Sequence, residues 1–474
     1  MNLLLENPVI KFFRSTELKA MFIKLALFIL CITLSAIDGS FSFLLIILFS
    51  VFVICECSFN SIVWVMLAIS LQPFIMIKSF MLLAFIFLLV LLAKTIYSAC
   101  NKKIKFSDWR VIILLATYVV CVVGLFLPIA QYQKFYYTIC TLITLSILVL
   151  AIINFTELNL KNIYLIFSTA VAALCVIFNF IQFCGFDMFN NFLLNGESAF
   201  NPVFMMGDLE RFYLFLADPN YTGGVILLAL ISLSLLFKDK ELKNCIFEYS
   251  LFFILSVSLF FTLSKAAFIG YGLLILYILI TGLFRTIKVR KKCETINYLV
   301  IIGVIFASML ISYQAISAVI SRLISFESTA TGFESVDNFT TGRLTLWVSY
   351  LKKIFASVHV FFFGYGNAAP MLDADTHNIV LSILYHHGFV AILLLAVVYI
   401  IGCVYNKKTF SLRNIYAPII AVIFYLSLSG RLFTLFYVFF FIFTFFHDPN
   451  KAKQEKDIQN DHEFLSIELD LDTK

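Results

Sequence analysis

Apolar residues in this chain gather into long runs separated by short polar breaks, with little of the alternation that a soluble domain would show. The runs extend over Met21 to Ile37, Phe41 to Cys55, Ser61 to Ile77, Phe80 to Tyr97, Val111 to Pro128, Phe135 to Ile153 and Ile163 to Cys184. They continue over Tyr221 to Phe237, Ile246 to Leu263, Ala266 to Phe284, Tyr298 to Ile316, Gly388 to Tyr405, Ile415 to Ser429 and Leu432 to Phe446. A hydrocarbon core of about 30 Å needs about 20 apolar residues per helix, because each backbone polar group must be bonded within the segment. The pattern therefore predicts an all-α polytopic membrane protein with about fourteen transmembrane helices. Residues 1–447 read as one integral membrane domain.

Lysine and arginine set the expected orientation. Lys11, Arg14 and Lys19 precede the first run, and basic residues recur at Lys102 to Lys105, Lys238 to Lys240, Arg285 to Lys292, and Lys407 to Arg413. These loops belong to the cytoplasm by the positive-inside rule, which leaves Gly185 to Asn220 and Ser317 to Thr376 as the large outward loops. The first run lacks a small-residue cleavage site and is expected to be a retained helix rather than a signal peptide. The tail, 448–474, mixes charges, carries few apolar residues, and reads as a disordered cytoplasmic extension.

Composition agrees: 62% of residues are hydrophobic, 56 are Phe, and 13% are charged. The net charge of +6 follows from the loop bias and gives no reason to expect nucleic acid as a partner. The 11 cysteines lie in spans or on the cytoplasmic side, apart from Cys184 near an outward loop, so no disulfide framework is expected. No CxxC pair, HExxH or carboxylate cluster suggests a metal site, and no Walker A loop suggests ATP hydrolysis. Neither a metal nor another cofactor is expected.

The candidate chemistry lies in the outward loops. Arg211 precedes Asp218-Pro219-Asn220-Tyr221, a helix-start signal in which Asp218 or Asn220 can cap backbone N–H groups and Pro219 suits a first turn. An arginine at this depth is either an interface anchor or an anion ligand. Lys265, in Leu263-Ser264-Lys265-Ala266, sits between two closely spaced runs and is either a snorkelling side chain or a functional one. The loop 317–376 contains an amphipathic helix, in which Leu344, Trp347, Leu351, Ile354 and Val358 recur at helical spacing opposite Lys352 and Lys353, and which is expected on the membrane surface. Arg343, at its start, either stacks on Trp347 or joins the helix N-terminus in holding a phosphate. Arg322 shares this loop, and His377-Asn378 closes it. His377, on the side that carries four basic candidates, is a candidate base. His386 and His387 rank behind it.

Asp218-Pro219-Asn220-Tyr221, Leu263-Ser264-Lys265-Ala266, Gly342-Arg343-Leu344-Thr345-Leu346-Trp347, Phe363-Gly364-Tyr365-Gly366 and His377-Asn378 followed by Leu381 and Gly388 occur in this order. In this the chain resembles the O-antigen ligase and O-antigen polymerase superfamily over roughly Arg211 to Val390. Where that family usually has Arg after the Leu-Ser pair, this chain has Lys265, which keeps the charge but loses the planar fork.

The resemblance implies a metal-independent membrane glycosyltransferase of the bacterial cytoplasmic (inner) membrane, with its active site facing the periplasm. Its donor would be an undecaprenyl-diphosphate-linked oligosaccharide within the membrane lipid, and a flippase and a chain-length regulator are the candidate protein partners. Arg211, Lys265 and Arg343 are then candidates to neutralise the diphosphate, with Arg322, Asp218, Asn220, Trp347 and Asn378 binding substrate and His377 acting on the acceptor hydroxyl. The span count favours a polymerase of O-antigen or a related surface polysaccharide. The alternatives are a ligase that transfers the glycan to lipid A core, and, from another class, a lipid-linked oligosaccharide flippase. A transporter should carry ionisable residues near the bilayer midplane and often has repeated halves; here the basic residues gather at the outer ends.

Overall fold

The computed structural model describes residues 18–37, 160–183, 205–206, 209–212, 219–234, 246–289, 292–324, 343–365 and 378–405, with isolated positions at 41, 44, 47–48, 50–52, 93 and 236. Within them the chain is helical, apart from one small antiparallel hairpin. The helices in chain order are α1 (Leu18–Ile37), α2 (Leu160–Phe183), α3 (Pro219–Ser234), α4 (Ile246–Phe261), α5 (Lys265–Val289), α6 (Lys292–Ile311), α7 (Tyr313–Ile324), α8 (Arg343–Ile354), α9 (Val358–Phe363) and α10 (Ile379–Tyr405). Strands β1 (Met205–Met206) and β2 (Leu209–Glu210) pair Met205 with Glu210 and Met206 with Leu209.

Two stretches, Ile163–Phe180 in α2 and Lys265–Phe284 in α5, are long and apolar enough to cross a membrane, each with mean hydropathy 2.2. A third arises if Thr295–Ile311 and Tyr313–Ser321 count as one bent span. Shorter apolar helices occupy Thr222–Ser234, Ile246–Phe261 and Val380–Leu393. The expected runs at 61–77, 80–97, 111–128, 135–153, 415–429 and 432–446, most of that at 41–55, and the tail 448–474 lie outside the described residues.

Helix α3 is the centre of the bundle. Every residue from Thr222 to Ser234 is buried, as expected of a helix that is apolar on all sides. Helices α2, α4 and α5 pack around it, α1 packs on α2, and α6 packs on α4 and α5. Polar side chains join these helices: the Ser168 hydroxyl donates to the Ala229 carbonyl at 3.0 Å, and the Asn179 amide to Ser258 Oγ at 3.2 Å. The Tyr271 hydroxyl donates to Ser256 Oγ at 2.7 Å, and Tyr298 reaches the Leu279 carbonyl at 3.2 Å. Such bonds between membrane helices contribute about 0.6 kcal/mol each.

Several helix boundaries differ from the sequence expectation. Tyr298 to Ile316 is not one straight span: α6 ends at Ile311 and the chain bends by 73° into α7. Backbone hydrogen bonds continue across this elbow, from Ser312 N to the Ser308 carbonyl and from Ile316 N to the Ser312 carbonyl, so no proline or glycine announces it. The loop expected from Ser317 is helical as far as Ile324. The amphipathic helix stops at Ile354, and Val358 starts a separate helix, α9. The last described helix begins at Ile379 and is broken at Gly388, where φ is 74°.

Candidate functional site

The local logic begins with the hairpin, which ends one residue before Arg211. Phe212 N then donates to the Phe261 carbonyl at 2.8 Å, which docks this strand end on the last residue of α4. Arg211 is thereby set over the α4–α5 corner, where its Nε donates to the Thr262 carbonyl at 3.0 Å. One of its terminal nitrogens reaches Asn220 Oδ1 at 3.5 Å. That same oxygen accepts a 2.7 Å bond from Ser264 Oγ.

Asn220 is the second residue of α3, after Pro219 in the first-turn position that its fixed φ suits. Its carbonyl oxygen accepts from Arg211 and from the neighbouring helix end, a cross-link the sequence reading did not foresee when it assigned Asn220 to capping or substrate. Ser264, for which the sequence alone suggests no part in the site, belongs to it here. It stands just before α5, where its hydroxyl also accepts from Ala267 N at 3.4 Å in the N-cap manner. The signal was present: a serine before an apolar helical run is a helix-start mark.

The corner itself is strained. Leu263 has φ 50°, a left-handed conformation that costs a non-glycine residue roughly 1–2 kcal/mol. Its side chain is buried, and turn bonds from Thr262 N to the Leu259 carbonyl and from Leu263 N to the Phe260 carbonyl hold it there. Strain of this kind, held between Thr262, whose carbonyl accepts from Arg211, and Ser264, whose hydroxyl donates to Asn220, is found at functional corners. Gly223 lets the two helix ends close up, since a Cβ at this position would come within 2.7 Å of the Ala267 Cβ.

The outcome is that the N-termini of α3 and α5 lie side by side, with Arg211 between them and Lys265 as the first residue of α5. The aligned peptide dipoles of each helix place about half a positive charge at its N-terminus. Two such ends, with Arg211 between them and Lys265 opening α5, make a positively charged rim suited to an anion. Asp218 lies outside the described residues.

Arg343, Trp347 and Asn378 belong to a second cluster. Helix α8 lays its apolar face on α10, where Tyr350, Ile354, Leu381 and Tyr385 form a buried core with Leu346, Trp347 and Leu351 packed against it. The Tyr350 and Tyr385 rings meet edge to face at 4.9 Å. This corrects the expectation that the face bearing Trp347, Leu351 and Ile354 rests on the membrane, because α10 occupies it. Val358 leaves that face for α9 and is exposed. Lys352 and Lys353 are exposed on the opposite side. Arg343 is the first residue of α8 and half-buried.

Asn378 caps α10: its Oδ1 accepts from Val380 N at 3.0 Å and Leu381 N at 3.2 Å. This is a structural role for a residue assigned to substrate from the sequence. His377, which it follows, lies outside the described residues. Arg322 belongs to α7, and its side chain is not among those described.

Glycines hold the second cluster together. Gly364 and Gly388 have nearly the same conformation, φ 73° and φ 74°, and each lies on the other segment's backbone. A Cβ at Gly364 would strike His386 and His387, and one at Gly388 would strike Phe362 and Phe363. Tyr365 N donates to the Tyr385 carbonyl at 2.8 Å, and Phe361 stacks on Phe389 at 5.3 Å. His387, beside this crossing, has a buried Nδ1 without a hydrogen-bond partner.

No group of three or more His, Cys, Asp or Glu able to hold a metal occurs among the described residues. No protein-family profile, curated protein or solved structure matches the chain.

Proposed function

We propose that this protein is a membrane glycosyltransferase that polymerises a surface polysaccharide such as O-antigen, using an undecaprenyl-diphosphate-linked glycan as donor on the outer face of the cytoplasmic membrane. The observation that carries the reading is the convergence of Arg211, Asn220, Ser264 and Lys265 on two adjoining helix N-termini. A diphosphate is the anion for which such a rim is suited, and an apolar bundle beside it suits the lipid that bears the diphosphate.

In the proposed step the hydroxyl oxygen of a sugar on one lipid-linked unit attacks the anomeric carbon of the donor glycan. The new glycosidic C–O bond forms as the bond from the anomeric carbon to the phosphate oxygen breaks, and undecaprenyl diphosphate leaves with the electron pair. The hydroxyl proton passes to His377. Arg211 and Lys265, with Arg343, neutralise charge on the leaving diphosphate, while Asn220 and Ser264 hold Arg211 and the α5 end in position. Electrostatic preorganisation of this kind is the largest contribution in many enzymes.

The test separates donor binding from extension. In purified protein, Arg211→Ala and Lys265→Ala should lose binding of a radiolabelled lipid-linked repeat unit. His377→Ala should bind it and extend it more slowly by roughly 10² to 10⁴, the usual contribution of acid–base help. Normal donor binding in both basic-residue variants would remove the diphosphate site, and normal extension in the histidine variant would remove the base.

A further inference from the structure

Helix α7 divides its surface into three sectors. Successive residues of an α-helix rotate by about 100°, which places the sectors roughly a third of a turn apart. Ala315 and Val319 form the first; both are buried, on a helix that packs on α4 and α6. Tyr313, Ile316 and Ile320 form the second, with Tyr313 69% and Ile320 45% exposed. Gln314, Ser317 and Ser321 form the third, and all three are exposed.

Each of two simple environments conflicts with one sector. A helix continuing through hydrocarbon would carry Gln314 and the serine edge into lipid, where an unsatisfied amide costs several kcal/mol. A helix in water would expose Tyr313 and Ile320 beside Leu310 and Ile311, themselves each 60% exposed at the end of α6. That would be a continuous apolar patch with nothing to cover it. The boundary between headgroups and acyl chains satisfies all three sectors at once. The 73° bend from α6 turns the chain from the direction of a crossing helix toward the membrane plane.

We propose that α7 is an interfacial helix whose partner is the lipid bilayer itself: Tyr313, Ile316 and Ile320 dip into the acyl boundary, and Gln314, Ser317 and Ser321 face water and headgroups. The elbow lies at the same end of the bundle as Arg211 and Lys265. Ser308, one turn before it, lies beside Tyr271, whose hydroxyl donates to Ser256, and Tyr271 lies fewer than two turns from Lys265. Helix α7 therefore marks the headgroup depth at the end where the diphosphate would bind; that consequence rests on the proposed function, whereas the placement of α7 does not.

The experiment uses the full chain in lipid nanodiscs, with tryptophan introduced singly by Tyr313→Trp, Ile320→Trp, Ser317→Trp and Ser321→Trp. The parent protein, with its three tryptophans, supplies the background. Each site is exposed, so the substitutions leave the core intact. Added emission from positions 313 and 320 should be blue-shifted and lost to lipids brominated near the headgroup, and emission from 317 and 321 should be lost to aqueous acrylamide. Acrylamide quenching at all four positions would make α7 a water-exposed helix and overturn the proposal. Quenching of all four by bromines near the chain ends would make it a buried span and overturn it equally.

Discussion

The residues that matter most here work in pairs across helix ends. Asn220 Oδ1 is the hub, because it receives Ser264 Oγ at 2.7 Å and Arg211 at 3.5 Å. Removing Ser264 Oγ also removes a helix cap, so Ser264→Ala should destabilise the protein by about 1–2 kcal/mol. Asn220→Ala breaks the same contact from the other side. Thermal unfolding of the two single variants and the double variant should show a double loss smaller than the sum. Strict additivity would mean that the two side chains do not act together. The sequence showed Arg211, Lys265 and Asn220 as polar residues in apolar surroundings, which is why they could be singled out. It did not show that Asn220 reaches across to Ser264, or that Leu263 is held at φ 50°, because both depend on where a distant helix end arrives.

At the level of elements, long apolar runs fixed α1 to α5 to within a few residues, since a run of that length has few alternatives in a bilayer. What the pattern could not carry was direction. The α6–α7 elbow has helical bonding on both sides of Ser312 and no glycine or proline, so hydropathy read through it. The apolar stripe of α8 was legible as a stripe, but its partner was not: a stripe fits a membrane surface as well as it fits α10. Close packing of α3 on α5 depends on Gly223, whose added Cβ would meet Ala267 at 2.7 Å. Gly223→Ala should therefore lower stability by about 1–3 kcal/mol, as overpacking does. Adding Ala267→Gly should return part of that loss, measured as a rise in unfolding temperature over the single variant. No recovery in the double variant would mean that the helix ends do not touch at this point.

For the whole molecule, the described helices form an apolar assembly compatible with a membrane protein, in which buried Ser168, Ser256 and Ser264 make hydrogen bonds between helices. The basic candidates that the structure describes in the first cluster gather at one helix corner, around Arg211 and Lys265. The proposed function places chemistry on a lipid-borne anion at that corner. The most direct measurement supplies the purified, reconstituted protein with an undecaprenyl-diphosphate-linked repeat unit alone, in the presence of a metal chelator and without nucleotide sugar. The account predicts lipid-linked chains of increasing length, with one undecaprenyl diphosphate released for each unit joined. Repeat units that stay single, or that cross the bilayer without being joined, would contradict it.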